Sequence, residues 1–179
     1  GAAPVFELIA TAFTIVVGSI SFAGSVVTFL KLQELMTTRP IVFAGYPVLY
    51  GLGLLAAVAL SVGLVIAPSL IFAVLLAAVG AALGVLLVLP VGGADVPIVI
   101  SLLNAFTGLT VAASGYLLEN ILLLIAGTLV GSAGTLLTRL MANAMGRSLI
   151  NILFGGSFSD GVGTSMPITE ADGLAQSRA

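Results

Sequence analysis

Few side chains in this 179-residue sequence are able to do chemistry. Asp95 is one, set in the short stretch Val91-Gly92-Gly93-Ala94-Asp95-Val96-Pro97. A carboxylate there has two readings. It caps the helix that Pro97 opens, or it is a titratable group at the mouth of a path through a membrane. Gly92 and Gly93 add backbone freedom beside it. Asn104 is another, set deep in an apolar run. An amide cannot hold a proton alone, but its donors and acceptor can orient water. Left bare in hydrocarbon it is costly, so it faces a helix partner or water. Hydroxyls form a third group. Thr11, Thr14, Gly18, Ser21, Ser25 and Thr28 are spaced 3, 4, 3, 4, 3 and fall on one helix face. Ser101, Asn104, Thr107, Gly108 and Ser114 form a similar stripe further on. Such stripes are close helix packing or the lining of a narrow hydrated path. Gly127, Gly131 and Gly134, with Thr128, Ser132 and Thr135 beside them, permit close backbone approach in the small-xxx-small manner.

Much chemistry is excluded. The chain has no Cys and no His. Disulfides, thiolate metal sites and Cys nucleophiles are absent, and a Ser-His-Asp triad cannot be built. No phosphate loop, dinucleotide fingerprint or metal-ligand cluster occurs. Five Lys or Arg form no basic patch for nucleic acid.

The elements that position these groups follow from composition. Apolar residues make up 60% and charged residues 7%, against about a quarter charged in an average soluble domain. So few charges cannot cover a soluble globule. Residues 8–30, 40–94, 96–118 and 120–138 carry no charge, and the second run is long enough for two spans. A membrane helix needs about 20 apolar residues, and these runs do not alternate as barrel strands do. The expected fold is all-α: a polytopic transmembrane helix bundle with five spans, at about 5–31, 47–66, 69–89, 96–118 and 120–145. Short connections at Ala67-Pro68-Ser69 and Glu119-Asn120 imply antiparallel neighbours. With five spans, Lys31, Arg39, Arg139, Arg147 and Arg178 all fall on one side, while Glu7 and Glu119 lie opposite. The positive-inside rule then places the C-terminus in the cytoplasm (or matrix) and the N-terminus across the membrane. Residues 1–154 read as the membrane domain. Residues 155–179, Gly/Ser-rich and then acidic, read as a flexible linker to a further domain absent from this chain, which therefore reads as a fragment.

Three stretches carry a family resemblance. They are Gly18-Ser-Ile-Ser-Phe-Ala-Gly-Ser25, then Val91-Gly-Gly-Ala-Asp-Val-Pro-Ile-Val-Ile-Ser-Leu-Leu-Asn104, and Gly127-Thr-Leu-Val-Gly-Ser-Ala-Gly134 continuing to Met141-Ala-Asn-Ala-Met-Gly-Arg-Ser148. Over roughly residues 5–155 the chain resembles the membrane domain of the β subunit of proton-translocating NAD(P) transhydrogenase, specifically its last five helices. The second stretch is the most specific. The resemblance implies proton movement coupled to hydride transfer between NAD(H) and NADP(H). It implies no cofactor, metal or catalytic hydride site in this chain, the nucleotides being held in soluble domains elsewhere. It assigns Asn104, Asp95 and Ser21 to the proton pathway. Gly127, Gly131 and Gly134 become coupling or hinge positions on the last helix, and Arg147 and Ser148 the join to the NADP(H) domain. The family's membrane histidine has no counterpart here. Implied partners are the α-subunit membrane helices, earlier β helices, the NADP(H)- and NAD(H)-binding domains, the lipid bilayer and a second copy of the complex. The implied location is the bacterial inner (plasma) membrane. Two other readings compete: a subunit of an unrelated secondary transporter or channel, and a structural membrane subunit in which Asn104 and Asp95 serve assembly only.

Overall fold

A computed structural model describes residues 2–43, 45–149 and 152. The expected linker over 155–179, with Arg178, lies outside the described residues. Five α-helices are present among the described residues: α1 (Ala2–Leu32), α2 (Tyr46–Ile66), α3 (Leu70–Val88), α4 (Val96–Leu117) and α5 (Ile121–Ala144). All five are long and apolar enough to cross a membrane. There are no strands among the described residues.

Local chemistry sets the helix ends. Ser69 caps α3, its hydroxyl accepting from the Phe72 amide, and Asn120 caps α5 by accepting from the Leu122 and Leu123 amides. These caps satisfy donors that the first helical turn leaves open. Between α4 and α5, Glu119 takes a left-handed backbone conformation (φ 52°) that reverses the chain within the three residues 118–120.

α1 is the central element, packed against α3 and α4 and more lightly against α2; α2 lies on α3, and α5 lies along α4. Small residues make the close contacts. A Cβ on Gly84 of α3 would overlap the Ile20 carbonyl of α1. One core cluster joins α1, α2 and α3 through Ala12, Ala57, Leu64, Leu76 and Leu83. A second, containing Val27, Leu87, Val88, Ile98, Val99, Leu103 and Ala142, ties α1 and α3 to α4 and α5.

The two ends of the bundle differ. At one end Phe6 of α1 meets Tyr116 of α4, ring centroids 5.1 Å apart. At the other end the α1–α2 and α3–α4 loops are joined by backbone bonds: Gly93 N–H donates to Thr38 O (3.0 Å) and Ile41 N–H to Leu89 O (3.0 Å). This second end carries Lys31, Arg39, Arg139 and Arg147, so the described cations share one end of the molecule.

The C-terminus of α3 shows how sequence forces tertiary contacts. Pro90 has no N–H to donate to the Leu86 carbonyl four residues earlier. The Tyr46 hydroxyl supplies that bond from α2, at 2.8 Å, and Tyr46 is almost wholly buried. Tyr46→Phe leaves a carbonyl bare in an apolar setting. It is expected to lower unfolding stability by about 1–2 kcal/mol, read as an earlier thermal transition of the detergent-solubilised protein.

Candidate functional site

The hydroxyl stripes meet between α1 and α4. Ser21 Oγ donates to Leu103 O (3.0 Å) and lies 2.7 Å from Thr107 Oγ1. Thr107 Oγ1 also donates to Leu103 O, at 3.0 Å. One α4 carbonyl therefore collects two hydroxyls from two helices. Two open grooves flank this cluster. The first, of about 340 Å³, is lined by Gly18, Ser21, Phe22, Ser25, Thr107, Thr110 and Val111. The second, of about 310 Å³, is lined by Ser25, Thr28, Phe29, Leu32, Ile100, Leu103, Asn104 and Thr107. Ser25 and Thr107 belong to both, so the grooves form one seam along the α1–α4 contact.

Asn104 is exposed in this seam, and its amide has no hydrogen-bond partner among the described residues. It does not glue α4 to another helix of the described bundle. Its donors and acceptor remain open toward whatever fills the groove.

The expected α4 stripe divides between two neighbours. Asn104 and Thr107 face the α1 seam, whereas Ser101 and Gly108 face α5. Ser101 Oγ donates to Gly134 O (3.3 Å), and Thr138 Oγ1 donates to Ser101 Oγ (3.0 Å) and Gly134 O (2.7 Å). Thr138, not singled out from sequence, is thus the buried polar partner at the α4–α5 contact. The α1 stripe is also less uniform than its spacing suggests. Thr11 and Thr28 bond carbonyls of their own helix, Glu7 O and Gly24 O, both at 2.8 Å. Ser21 alone on α1 crosses to α4 by a hydroxyl bond.

Gly127, Gly131 and Gly134 are buried against α4. A Cβ on Gly127 would overlap the Ala112 backbone nitrogen, and one on Gly134 would come within 3.0 Å of Ala105 Cα. Gly108 and Gly115 of α4 reciprocate against Gly131 and Leu124. The packing reading of these glycines is therefore visible in the geometry.

Asp95 closes a short 3₁₀ turn, Gly93–Asp95, at the cation end. It occupies the position before α4 but makes no side-chain cap bond, so the capping role expected of its side chain is not realised. Its side chain is 8% exposed, and its Oδ1 lies 3.4 Å from Arg147 Nε without hydrogen-bond geometry. The contact is a charge contact rather than a directed bond. Arg147 is half exposed and keeps most of its donors free. Ser148 is exposed beside it. Neither Gly92 nor Gly93 uses a left-handed conformation. Their use is close approach: a Cβ on Gly93 would sit 3.4 Å from Thr38 Cβ in the α1–α2 loop.

No group of three or more metal-ligating side chains occurs among the described residues.

Residues 2–177 match the sequence profile of the family described as NAD(P) transhydrogenase beta subunit. The chain belongs to this family. NAD(P) transhydrogenase subunit beta of Rhodospirillum rubrum is 42% identical over 161 residues, covering 90% of this chain and 35% of the relative. The same subunit from a named strain of that species matches to the same extent. The chain spans about a third of the length of these transhydrogenase relatives. It supplies five membrane-length helices of a transhydrogenase β subunit, and the Ser21–Thr107–Asn104 seam and the Asp95–Arg147 contact are features of that helical part.

Proposed function

We propose that this chain is the proton-conducting membrane part of a proton-translocating NAD(P) transhydrogenase. In this reading hydride passes between NAD(H) and NADP(H) in soluble domains outside the chain. The observation that carries it is the open polar seam, with the Asn104 amide unpaired among the described residues of a largely apolar bundle. An unsatisfied amide at membrane depth is retained where water or a polar partner reaches it.

The division of labour follows from position. Ser21, Thr107 and Asn104 orient water along α1 and α4. They hold donors and acceptors but no titratable proton, so the proton-binding group belongs to a helix outside this chain. Asp95 exchanges the proton at the cation end, where its Oδ1 lies 3.4 Å from Arg147 Nε. Arg147 and Ser148 pass the local state on to the NADP(H) domain. Gly127, Gly131 and Gly134 let α5 slide closely on α4 as that state changes. Such coupling requires that the protonation state favour one conformation of the nucleotide domain over another. The α-subunit membrane helices and further β helices complete the path, and two copies form the complex. The cation end faces the cytoplasm of a bacterial inner membrane by the positive-inside rule, placing the start of α1 opposite.

The test is hydride transfer from NADPH to an oxidised NAD analogue by the complete complex in membranes, recorded with proton uptake, for wild type and Asp95→Asn. The expected result is that both signals fall together in Asp95→Asn. Loss of neither removes Asp95 from the route. Absence of hydride transfer in wild type overturns the assignment and favours a transporter reading.

A further inference from the structure

Lys31 has no part in the path described above, yet it is among the most buried side chains of the bundle, at 1% exposure. Its sequence position marks it only as one of the cations at one end of the bundle. The ammonium reaches from the end of α1 under the end of α3. It donates to Val88 O (3.0 Å), Leu89 O (2.8 Å) and Val91 O (2.8 Å). An ammonium has three donors, and all are used on backbone carbonyls.

These carbonyls are the ones a helix end leaves open, and a cation at a helix C-terminus also meets the negative end of its dipole. They lead directly into the loop that carries Asp95. Val91 is followed by Gly92, whose carbonyl accepts from the Asp95 amide (2.9 Å), and by Gly93, whose amide donates to Thr38 O. Val91 packs into the core cluster, but Gly92 and Gly93 after it carry no side chain to fix the backbone that leads to Asp95. Leu89 O is held a second time by the Ile41 amide. Lys31 is therefore the one side chain that ties α1, the α3 terminus and the start of the Asp95 loop together among the described residues.

We propose that Lys31 is a positioning residue: by clamping the Val88, Leu89 and Val91 carbonyls it sets the loop that presents Asp95 to Arg147. This rests on the coupling role proposed for Asp95. Arginine is not an equivalent, because its planar fork cannot place donors on three carbonyls converging on one point.

The test uses the complete complex in lipid vesicles, with Lys31→Met as the main variant and Lys31→Arg as a second that keeps a cation in the pocket should the first not accumulate. Two quantities are read. One is amide hydrogen exchange at residues 91–95; the other is proton uptake with NADPH-driven hydride transfer. Exchange is expected to rise at least about tenfold with local loosening of the loop. Coupled turnover is expected to fall at least about tenfold, as misplacement of a reacting group by about 1 Å commonly does. In an Asp95→Asn background, Lys31→Met is expected to add no further loss, because the two act through one loop. Unchanged exchange overturns the proposal. So do multiplying losses in the double variant, which mean a general effect on the fold. If Asp95→Asn alone leaves proton uptake intact, the coupling reading fails and the positioning role fails with it; if Asp95→Asn is impaired and Lys31→Met is not, only the role of Lys31 is lost.

Discussion

Asn104→Leu in the complete enzyme is expected to reduce proton-coupled hydride transfer on the order of 100-fold, ~2.7 kcal/mol at ~1.36 kcal/mol per factor of ten. Assembly and thermal stability should remain near wild type. The two halves of this expectation come from one fact. The Asn104 amide has no partner among the described residues, so its removal breaks no bond within the bundle. Leucine also keeps the same branched heavy-atom skeleton, and the position is exposed. What changes is the groove, where the Thr28 and Thr107 hydroxyls are already engaged with carbonyls, Ser25 adds one small hydroxyl, and the rest of the lining is apolar carbon. A constriction that exchanges its amide for apolar carbon holds water less well, and dewetting blocks conduction. Proton uptake by vesicles after NADPH addition measures the loss, and thermal inactivation supplies the control. Intact uptake would remove Asn104 from the path. A variant that fails to assemble would instead make the amide a contact to a helix outside this chain.

Gly127→Leu is expected to produce a loss of the opposite kind, with the folded complex itself failing to accumulate. Any Cβ at this site overlaps the Ala112 backbone. A backbone neighbour cannot rotate aside, so α5 must separate from α4. Overpacking typically costs about 1–3 kcal/mol even where side chains adjust, and here they cannot. Separation also strains the buried Thr138–Ser101–Gly134 hydrogen bonds. The membrane level of the complex should fall severalfold, with hydride transfer per remaining complex less affected. Gly51→Leu is the matched control, since nothing lies within 4 Å of where its Cβ would stand; an unobstructed helical glycine replaced by a good helix former is neutral or stabilising by about 1 kcal/mol. A milder probe is Gly131→Ala, whose nearest neighbour is the Leu109 side chain at 3.1 Å, followed closely by backbone. If that variant accumulates normally but pumps fewer protons per hydride, the glycines serve motion as well as packing.

The architecture was legible because bilayer physics leaves few choices. Uncharged runs of span length, with prolines and tight turns between them, yield five helices and their connectivity. The shared end of Lys31, Arg39, Arg139 and Arg147 follows from an odd number of spans. The seam was legible in part. Ser21 and Asn104 stand out as polar groups in apolar runs, but period alone does not say which neighbour a face meets. Ser101 and Asn104 share a sequence stripe and face different helices, because α4 is sandwiched between α1 and α5. The Asp95–Arg147 contact joins residues far apart in sequence, a proximity that periodicity along one element does not contain. The burial of Lys31 was not read from the sequence, where it counts only as one of the cations on one side. Its signal was present: it continues the Ser25, Thr28 spacing by three, and Pro90 announces a helix end lacking donors.

The clamp has a consequence for biogenesis. The carbonyl partners of Lys31 lie 57 to 60 residues further along the chain. At synthesis rates of about 5–20 residues per second, the ammonium waits roughly 3–12 s for them to be made. Through that interval α1 emerges with a cation at its end and no place to bury it, free to remain hydrated at the membrane surface. The burial of this ammonium under α3 is therefore a late event, one that follows the arrival of the third helix.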